Sequence, residues 1–490
     1  MFNGFSLFQD SPFTRVSIVF FLLFLVFLFL FSWDFVKQFK ALQNRHFKLL
    51  WAALVILYFA GFYLFYPGLM VIDDAVAAKE IFAGHPYTWL SLSYAFLLAS
   101  GYMLIGKVGF IPVLSIIIFS YLVLRSLKII NQSTVSEKRK WVCAVLLVAL
   151  AANPLLQGLI QFHSRDIIFS LAVTYLGILL LDTKTWSRFS ILLVSLLVVY
   201  LADLRAEGKI YLIVVPFLFY WAKQWNFKEV FTSFIVMAVS GFVYLFLLPL
   251  FLGANTMNIG YKVTTWVMPL SQIYKDVGEE NISTDINSRI DPVLNIKLLK
   301  EKFSSVDIDA FHAGAFNHFT TEDKWNEFKA AAIELFWQHP DIVIKNRVKL
   351  FLNMLNVGDE TFIFYDDFHG KNETSLNIRR MLGLPEGDYS FKGLAESYYN
   401  LLGGFGRSRN FFIQFFNSLT VPLLFSLFCL IYVRSRPEFF SFSVLVLSRV
   451  PIMFILAPAS YTRYIMTVLL FLVFAFPLLL AGKKNEIRKS

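Results

Sequence analysis

VSIVFFLLFLVFLFLFSWDFVKQ, residues 16–38, runs from Val16 to Trp33 with Ser17 and Ser32 as its only polar residues. A helix of about 20 such residues crosses a hydrocarbon core roughly 30 Å thick. The apolar stretch is followed not by a small-residue cleavage site but by SWDFVKQ, so it is expected to stay in the chain as an anchor rather than leave as a signal peptide.

The same pattern recurs along all 490 residues, of which 57% are hydrophobic, 18% aromatic and only 16% charged. A soluble core of this length does not require so apolar a chain, which places the sequence among polytopic membrane proteins. Twelve apolar runs fall near residues 15–33, 49–66, 89–106, 108–128, 141–162, 167–182, 189–203, 208–222, 230–252, 411–433, 439–457 and 464–481. The net charge of +10 points to a membrane surface rather than to nucleic acid, because the basic residues cluster between apolar runs. The clusters are Lys37, Lys40, Arg45 and Lys48; Arg125, Lys128, Lys138, Arg139 and Lys140; Lys184 and Arg188; Lys223 and Lys228; Arg434 and Arg436; and Lys483, Lys484, Arg488 and Lys489.

If all six clusters are cytoplasmic, consecutive clusters are separated by an even number of crossings. Three runs lie between Lys48 and Arg125, so one of them cannot span. The weakest is WLSLSYAFLLASGYMLIG, residues 89–106, with three serines, read as a re-entrant or interfacial segment covered by protein. The expected fold is therefore an all-α membrane bundle of about eleven transmembrane helices with the N-terminus outside and the C-terminus inside. Its expected divisions are a membrane region 1–252 with an outer loop 67–107, a mainly helical extracytoplasmic insertion 253–410, and a membrane region 411–490. Within the insertion, DPVLNIKLLKEKF, TEDKWNEFKAAAIELFWQ and PDIVIKNRVKLFLNML carry the helical signals.

This topology gathers the unusual charges on the outer face: Asp73 and Asp74 in YPGLMVIDDAV, Arg165 and Asp166 in QFHSRDIIF, Arg205 and Glu207 in DLRAEGK, and Arg463 in PASYTRY. Taken singly they have plain alternatives, a helix N-terminal turn for the aspartates and surface ion pairs for the others. Arg449 differs, since it lies inside the run VLVLSRVPIMF, where a charge costs at least a few kcal/mol and is expected to face a polar cavity or a phosphate. Cys143 and Cys429 both fall in apolar runs and offer no disulfide framework, and the spacing of His312 and His318 does not match a zinc helix. The glycines of GGFGRSR, residues 403–409, do not form a Walker A loop, and two sequons begin at Asn281 and Asn372. No cofactor is specified, and a divalent metal is left open.

Carboxylates and arginines on an outer face without a nucleotide pocket suit transfer of a sugar from a polyprenyl phosphate. The acceptor hydroxyl needs a carboxylate base, and the departing lipid phosphate needs guanidinium groups. The stretches YPGLMVIDDAV, GHPYTWLSLSYAFLL, SRD, LRAEG, HPDIVIKNRVKLF and PASYTRY together resemble the GT-C superfamily of membrane glycosyltransferases, and the chain is also similar in size and large outer loop to phage-type O-antigen glucosyltransferases. The resemblance implies a hexosyltransferase of the bacterial inner membrane, working with a polyprenyl-phosphate sugar and a glycan acceptor, alongside a flippase and a sugar-lipid synthase. It further implies Asp73 as catalytic base with Asp74 beside it, Arg205, Arg463 and Arg165 on the donor phosphate, Asp166 and Glu207 as orienting groups, and a supporting role for Arg347 beside Lys345 and Asn346. A transporter or flippase of polyprenyl-linked glycans, and a polymerase or ligase of such glycans, remain the alternatives.

Overall fold

The computed structural model describes residues 11–66, 68–69, 81, 83–84, 91–105, 109–182, 187–253, 259–304, 307–357, 397, 418–433, 435–459 and 461–482. Asp73, Asp74 and the glycine run 403–409 lie outside the described residues. Among the described residues the regular structure is helical and no strand forms; extended backbone pairs only as isolated bridges, Leu69 with Phe162 and Leu294 with Phe316.

Each of the twelve apolar runs carries a helix. The first are α1 (Pro12–Ala41), α2 (Arg45–Leu64), α3 (Leu92–Ile105), α4 (Phe110–Asn131), α5 (Glu137–Ala151) and α6 (Pro154–Ile160), α7 (Arg165–Leu181), α8 (Arg188–Leu204), α9 (Tyr211–Trp221) and α10 (Phe227–Phe242). A π turn, Val243–Leu247, continues α10 into α11 (Leu248–Phe251). The polar insertion contributes α12 (Ile259–Val277), α13 (Thr284–Ile290), α14 (Ile296–Glu301), α15 (Asp309–His312), α16 (Glu322–Gln338) and α17 (Pro340–Met354). The chain closes with α18 (Thr420–Tyr432), α19 (Pro437–Leu447), α20 (Val450–Leu456) and α21 (Met466–Ala481).

Six stretches are long and apolar enough to cross a bilayer, Pro12–Ala41, Arg45–Leu64, Phe110–Asn131, Phe227–Phe251, Pro437–Leu456 and Thr462–Ala481, and α5 with α6 adds a seventh if their 59° bend lies within one crossing. This is a multi-pass membrane protein. The expectation of eleven crossings exceeds that number because the remaining runs make shorter helices: α7 and α8 have 17 residues each, α18 has 13 and α9 has 11. The serine-bearing run 89–106, expected not to cross, becomes the 14-residue α3, buried almost throughout and packed against α1, α4 and α8.

Polar residues at the helix ends explain where helices start and bend. Ser11 caps α1 by accepting from Thr14 N at 3.2 Å, with Pro12 in the first turn, and Asn226 with Glu229 forms a reciprocal capping box on α10. Pro154 separates α5 from α6, and the carbonyls this frees are taken up by side chains: Tyr58 donates to Ala151 O at 2.7 Å and Gln157 to Ala152 O at 2.7 Å. In hydrocarbon such replacement partners are obligatory.

The centre of the bundle is made by α4, α7 and α21, whose side chains are mostly buried, whereas α1 and α10 turn Phe, Leu and Val outward. Close packing at the centre depends on Gly177 of α7, where an added Cβ would come within 2.0 Å of the Phe442 ring of α19. In the insertion, Trp266 of α12 stacks on Phe336 and meets Phe328 edge-on, both from α16. The sequence signals at 322–338 and 340–354 correspond to α16 and α17, while α12 carries an internal proline, Pro269, and was not singled out.

Gly177→Ala is expected to destabilise the bundle by about 1–3 kcal/mol through overpacking. A thermal-unfolding series on purified protein, with Phe442→Leu added to relieve the clash, checks this: an unchanged midpoint for the single variant would show that the crossing tolerates a methyl group.

Candidate functional site

Four turns at helix ends deliver charged side chains to one place. The first is the start of α7, where Ser164 caps the helix by accepting from Asp166 N at 3.2 Å, so that Asp166 occupies the first turn. A carboxylate there is favoured by the helix dipole. The second is the 3-10 turn Ala206–Ile210 between α8 and α9, which holds Arg205 and Glu207. Gly208 is required there, since a Cβ would sit 2.1 Å from the Leu201 carbonyl oxygen. The third is the break between α19 and α20, where Arg449 precedes Val450 and Pro451, and the fourth is the 3-10 turn Thr462–Ile465 that bears Arg463.

Three guanidinium groups and two carboxylates meet. Arg205 Nη1 stands 2.8 Å from Asp166 Oδ1, and its Nε donates to Glu207 Oε1 at 2.8 Å. Arg449 donates to the same Glu207 oxygen from Nη2 at 2.9 Å and from Nε at 3.2 Å, and lies 3.7 Å from Asp166 Oδ1. Arg463 Nε is 3.4 Å from Asp166 Oδ2. Aromatic faces complete the packing: Arg449 lies over Phe169 at 4.6 Å, Arg205 over Tyr464 at 5.4 Å, and Arg463 over Tyr461 at 4.4 Å. Burial alone would raise the Glu207 carboxyl, but Arg205 and Arg449 overcome this and hold it down at about 2. Arg205, although burial opposes its charge, is kept more firmly protonated than usual by Asp166 and Glu207.

Exposure divides the arginines. Arg449 is 1% exposed and serves as the interior counter-charge of Glu207, so the expected cavity at this position is filled by the carboxylates themselves. Arg205 and Arg463 retain 12% and 10% side-chain exposure and form the accessible edge of the cluster.

The segment between α2 and α3, which contains Asp73 and Asp74, is fastened at both ends to the turns that carry this cluster. At its start Leu69 N donates to Gln161 O at 3.0 Å and His163 N to Leu69 O at 2.8 Å, next to Ser164 and Asp166. At its end Asp203 Oδ2 accepts from Ser93 N at 2.6 Å and from Ser91 Oγ at 3.0 Å, two residues before Arg205. Ser91 has a φ of 76°, a left-handed conformation uncommon for serine, and its hydroxyl also caps α3 at Tyr94 N. Arg165, partly buried, lies within electrostatic reach of Asp203.

Of the residues picked out from sequence, Asp166, Arg205, Glu207, Arg449 and Arg463 come together, and Arg165 lies on the same turn as Asp166. Arg347 does not join them. Its Nη1 donates to Ala457 O at 2.8 Å and its Nη2 to Thr265 O at 2.6 Å, tying α17 to α12 and to the end of α20, while burial lowers its pKa to about 10. It thus ties the insertion down at a place apart from the cluster in which a supporting role was expected of it. Asp203 was missed, although a carboxylate in the last turn of an apolar helix was a visible signal.

A second polar group, also missed, lies at the other end of α7. Asp182, beyond its last turn, accepts from Arg125 Nη2 at 2.8 Å; Arg125 Nη1 donates to the Tyr121 hydroxyl at 3.2 Å, and Tyr121 donates to Asp34 of α1. Gln38 bonds Asp34 and Lys128. Sixteen residues of chain separate Asp166 from Asp182, about 24 Å along a helix. Among the described residues no three His, Cys, Asp or Glu side chains gather as a metal site.

Glu207→Leu is expected to cost about 3–5 kcal/mol by removing the carboxylate closest to Arg449 in the interior, whereas joining it to Arg449→Met recovers much of the loss. Unfolding of Glu207→Leu, Arg449→Met and the double variant measures this coupling, and strict additivity would refute it. Because Glu207 is depressed from 4.5 to about 2, its contribution to stability is complete above about pH 4.5 and is lost as pH falls toward 2. Thermal midpoints recorded between pH 7 and pH 3 check the sign; a loss beginning near neutral pH would assign the titration to another group. The chain matches no protein family, no curated protein and no solved structure, and what the cluster does rests on its own chemistry.

Proposed function

We propose that the protein is a membrane glycosyltransferase that moves a sugar from a polyprenyl-phosphate donor to an extracytoplasmic glycan acceptor, in a bacterial inner membrane. The observation that carries this reading is the joining of two chemistries: a buried cluster in which Arg205, Arg449 and Arg463 meet Asp166 and Glu207, and an aspartate-bearing loop whose ends are bonded next to the same turns.

In the proposed reaction the acceptor hydroxyl attacks the anomeric carbon, and the bond from that carbon to the phosphate oxygen breaks. The acceptor proton passes to the carboxylate of Asp73, and the electron pair leaves with the lipid phosphate. Arg205 and Arg463, at the accessible edge, are suited to meet the growing phosphate charge, since a guanidinium fork matches phosphate oxygens. Asp166 and Glu207 keep the guanidinium planes in place, and Arg449 neutralises Glu207 from the interior side. The four-residue reach from Leu69 to Asp73 spans at most about 14 Å, which keeps the proposed base within one substrate's breadth of the turn before Asp166. Asp74, adjacent to it, points about 100° away if the segment is helical and is assigned no proton transfer.

Incubating purified protein with short-chain polyprenyl-phosphate sugars tests the reading, with release of polyprenyl phosphate as the signal. Asp73→Asn is expected to lower release at least about a hundredfold, the contribution of a general base, while expression and membrane insertion stay unchanged. Full activity in that variant would move the base elsewhere, and movement of the intact donor across a vesicle without bond cleavage would favour a flippase.

A further inference from the structure

The insertion reaches the turn that bears Arg463 by two routes. Helix α17 packs on the 3-10 turn Thr462–Ile465, and Asp307, just ahead of α15, accepts a hydrogen bond from the Tyr461 hydroxyl at 2.9 Å. Asp307 is itself held locally: Ile308 N donates to its Oδ1 at 2.7 Å, and its own N–H donates to Ser304 Oγ at 3.2 Å. The carboxylate is therefore a fixed acceptor belonging to the insertion.

Tyr461 faces two ways. Its hydroxyl engages the insertion, and its ring supports the Arg463 guanidinium at 4.4 Å. Tyr464 lies 5.5 Å away at a steep angle and carries Arg205 at 5.4 Å and Arg463 at 5.8 Å. Both arginines at the accessible edge of the cluster thus rest on an aromatic pair whose first member is anchored by Asp307. Burial and the neighbouring Asp307 carboxylate both hold the Tyr461 proton in place, so the phenol remains the donor at neutral pH.

We propose that Asp307 and Tyr461 are positioning residues through which the docked insertion sets Arg463, and with it the affinity of the cluster for a phosphate ester. This inference rests on the lipid-phosphate reading of the cluster. Without the bond to Asp307 the Tyr461 hydroxyl loses the acceptor that fixes its direction, and the ring is held less firmly as the surface that aligns Arg463 with Asp166. The geometry makes the extracytoplasmic insertion part of the donor site although its carboxylate does not belong to the ionic cluster.

The full-length protein, purified in detergent, is titrated with farnesyl phosphate and, as an uncharged control, with farnesol. Wild type is expected to bind the phosphate more tightly than the alcohol. Tyr461→Phe, which keeps the ring, and Asp307→Ala are each expected to weaken phosphate binding by about tenfold, the loss of one hydrogen bond to a charged group. Asp307→Asn, which keeps an acceptor oxygen, is expected to restore most of the affinity, a recovery that stability alone does not produce. If Asp307→Ala fails to fold, Tyr461→Phe carries the comparison. Unchanged phosphate affinity in Tyr461→Phe, even with a lowered unfolding midpoint, overturns the coupling. Equal binding of farnesyl phosphate and farnesol by wild type overturns the lipid-phosphate reading and this inference with it.

Discussion

The rest of the structure depends on keeping Arg449 charged in the interior of an apolar bundle. A guanidinium with 1% exposure survives there only where carboxylates replace water, and Glu207 does so through two hydrogen bonds to one oxygen. Glu207 in turn is shared with Arg205, and Arg205 reaches Asp166, which Arg463 also approaches. Residues near 166, 206, 449 and 463 therefore have to meet, whatever the lengths of the intervening segments. Such a cluster adds little net stability over a well-packed apolar alternative, because desolvation of each ion offsets much of the attraction. What it supplies is specificity, since any arrangement that separates one member strands a charge in a medium of low dielectric.

The cluster also explains how helices too short for an independent crossing are held. Helix α7, with 17 residues, has Asp166 in its first turn and Asp182 just past its last, each paired with arginine. The two carboxylates lie about 24 Å apart along the helix, and each is tied to an arginine from another element. Between them the helix is mainly large and apolar, and Gly177 lets α19 approach until Phe442 occupies the place of a side chain. The Asp182 group, which binds α1, α4 and α7 through Asp34, Tyr121 and Arg125, keeps the lipid-facing α1 in register although most of its side chains are exposed.

Much of this was legible in the sequence because hydrocarbon imposes coarse rules. Twelve apolar runs led to helices, and Arg449 stood out as a charge in an apolar run. The serines of 89–106 marked a helix that is short and covered. Counting runs did not reveal which of them are long enough to cross, since α7, α8, α9 and α18 stop at 17 residues or fewer although their sequence is as apolar as that of the longer helices. Pairing was harder to read. Asp203 looks like one more acid beside Arg205, yet it binds Ser91 and Ser93, more than a hundred residues earlier. Arg347, to which the resemblance gave a supporting role, satisfies two backbone carbonyls. Charge alone does not distinguish an arginine that serves a ligand from one that serves the backbone.

That distinction bears on how the cluster divides its work. Arg449 binds Glu207 through Nε and Nη2, lies over Phe169 and is 1% exposed, so burial screens it from an incoming phosphate although its Nη1 has no hydrogen-bond partner among the described residues. Arg205 and Arg463 share Asp166, keep part of their surface open, and rest on Tyr461 and Tyr464 rather than within the helical core. Among the described residues Arg449 and Glu207 pair in the interior, and Arg205 and Arg463 meet Asp166 on the side toward Tyr461 and Tyr464. That side adjoins the turns that hold Leu69 through backbone hydrogen bonds and Ser91 through the Asp203 carboxylate.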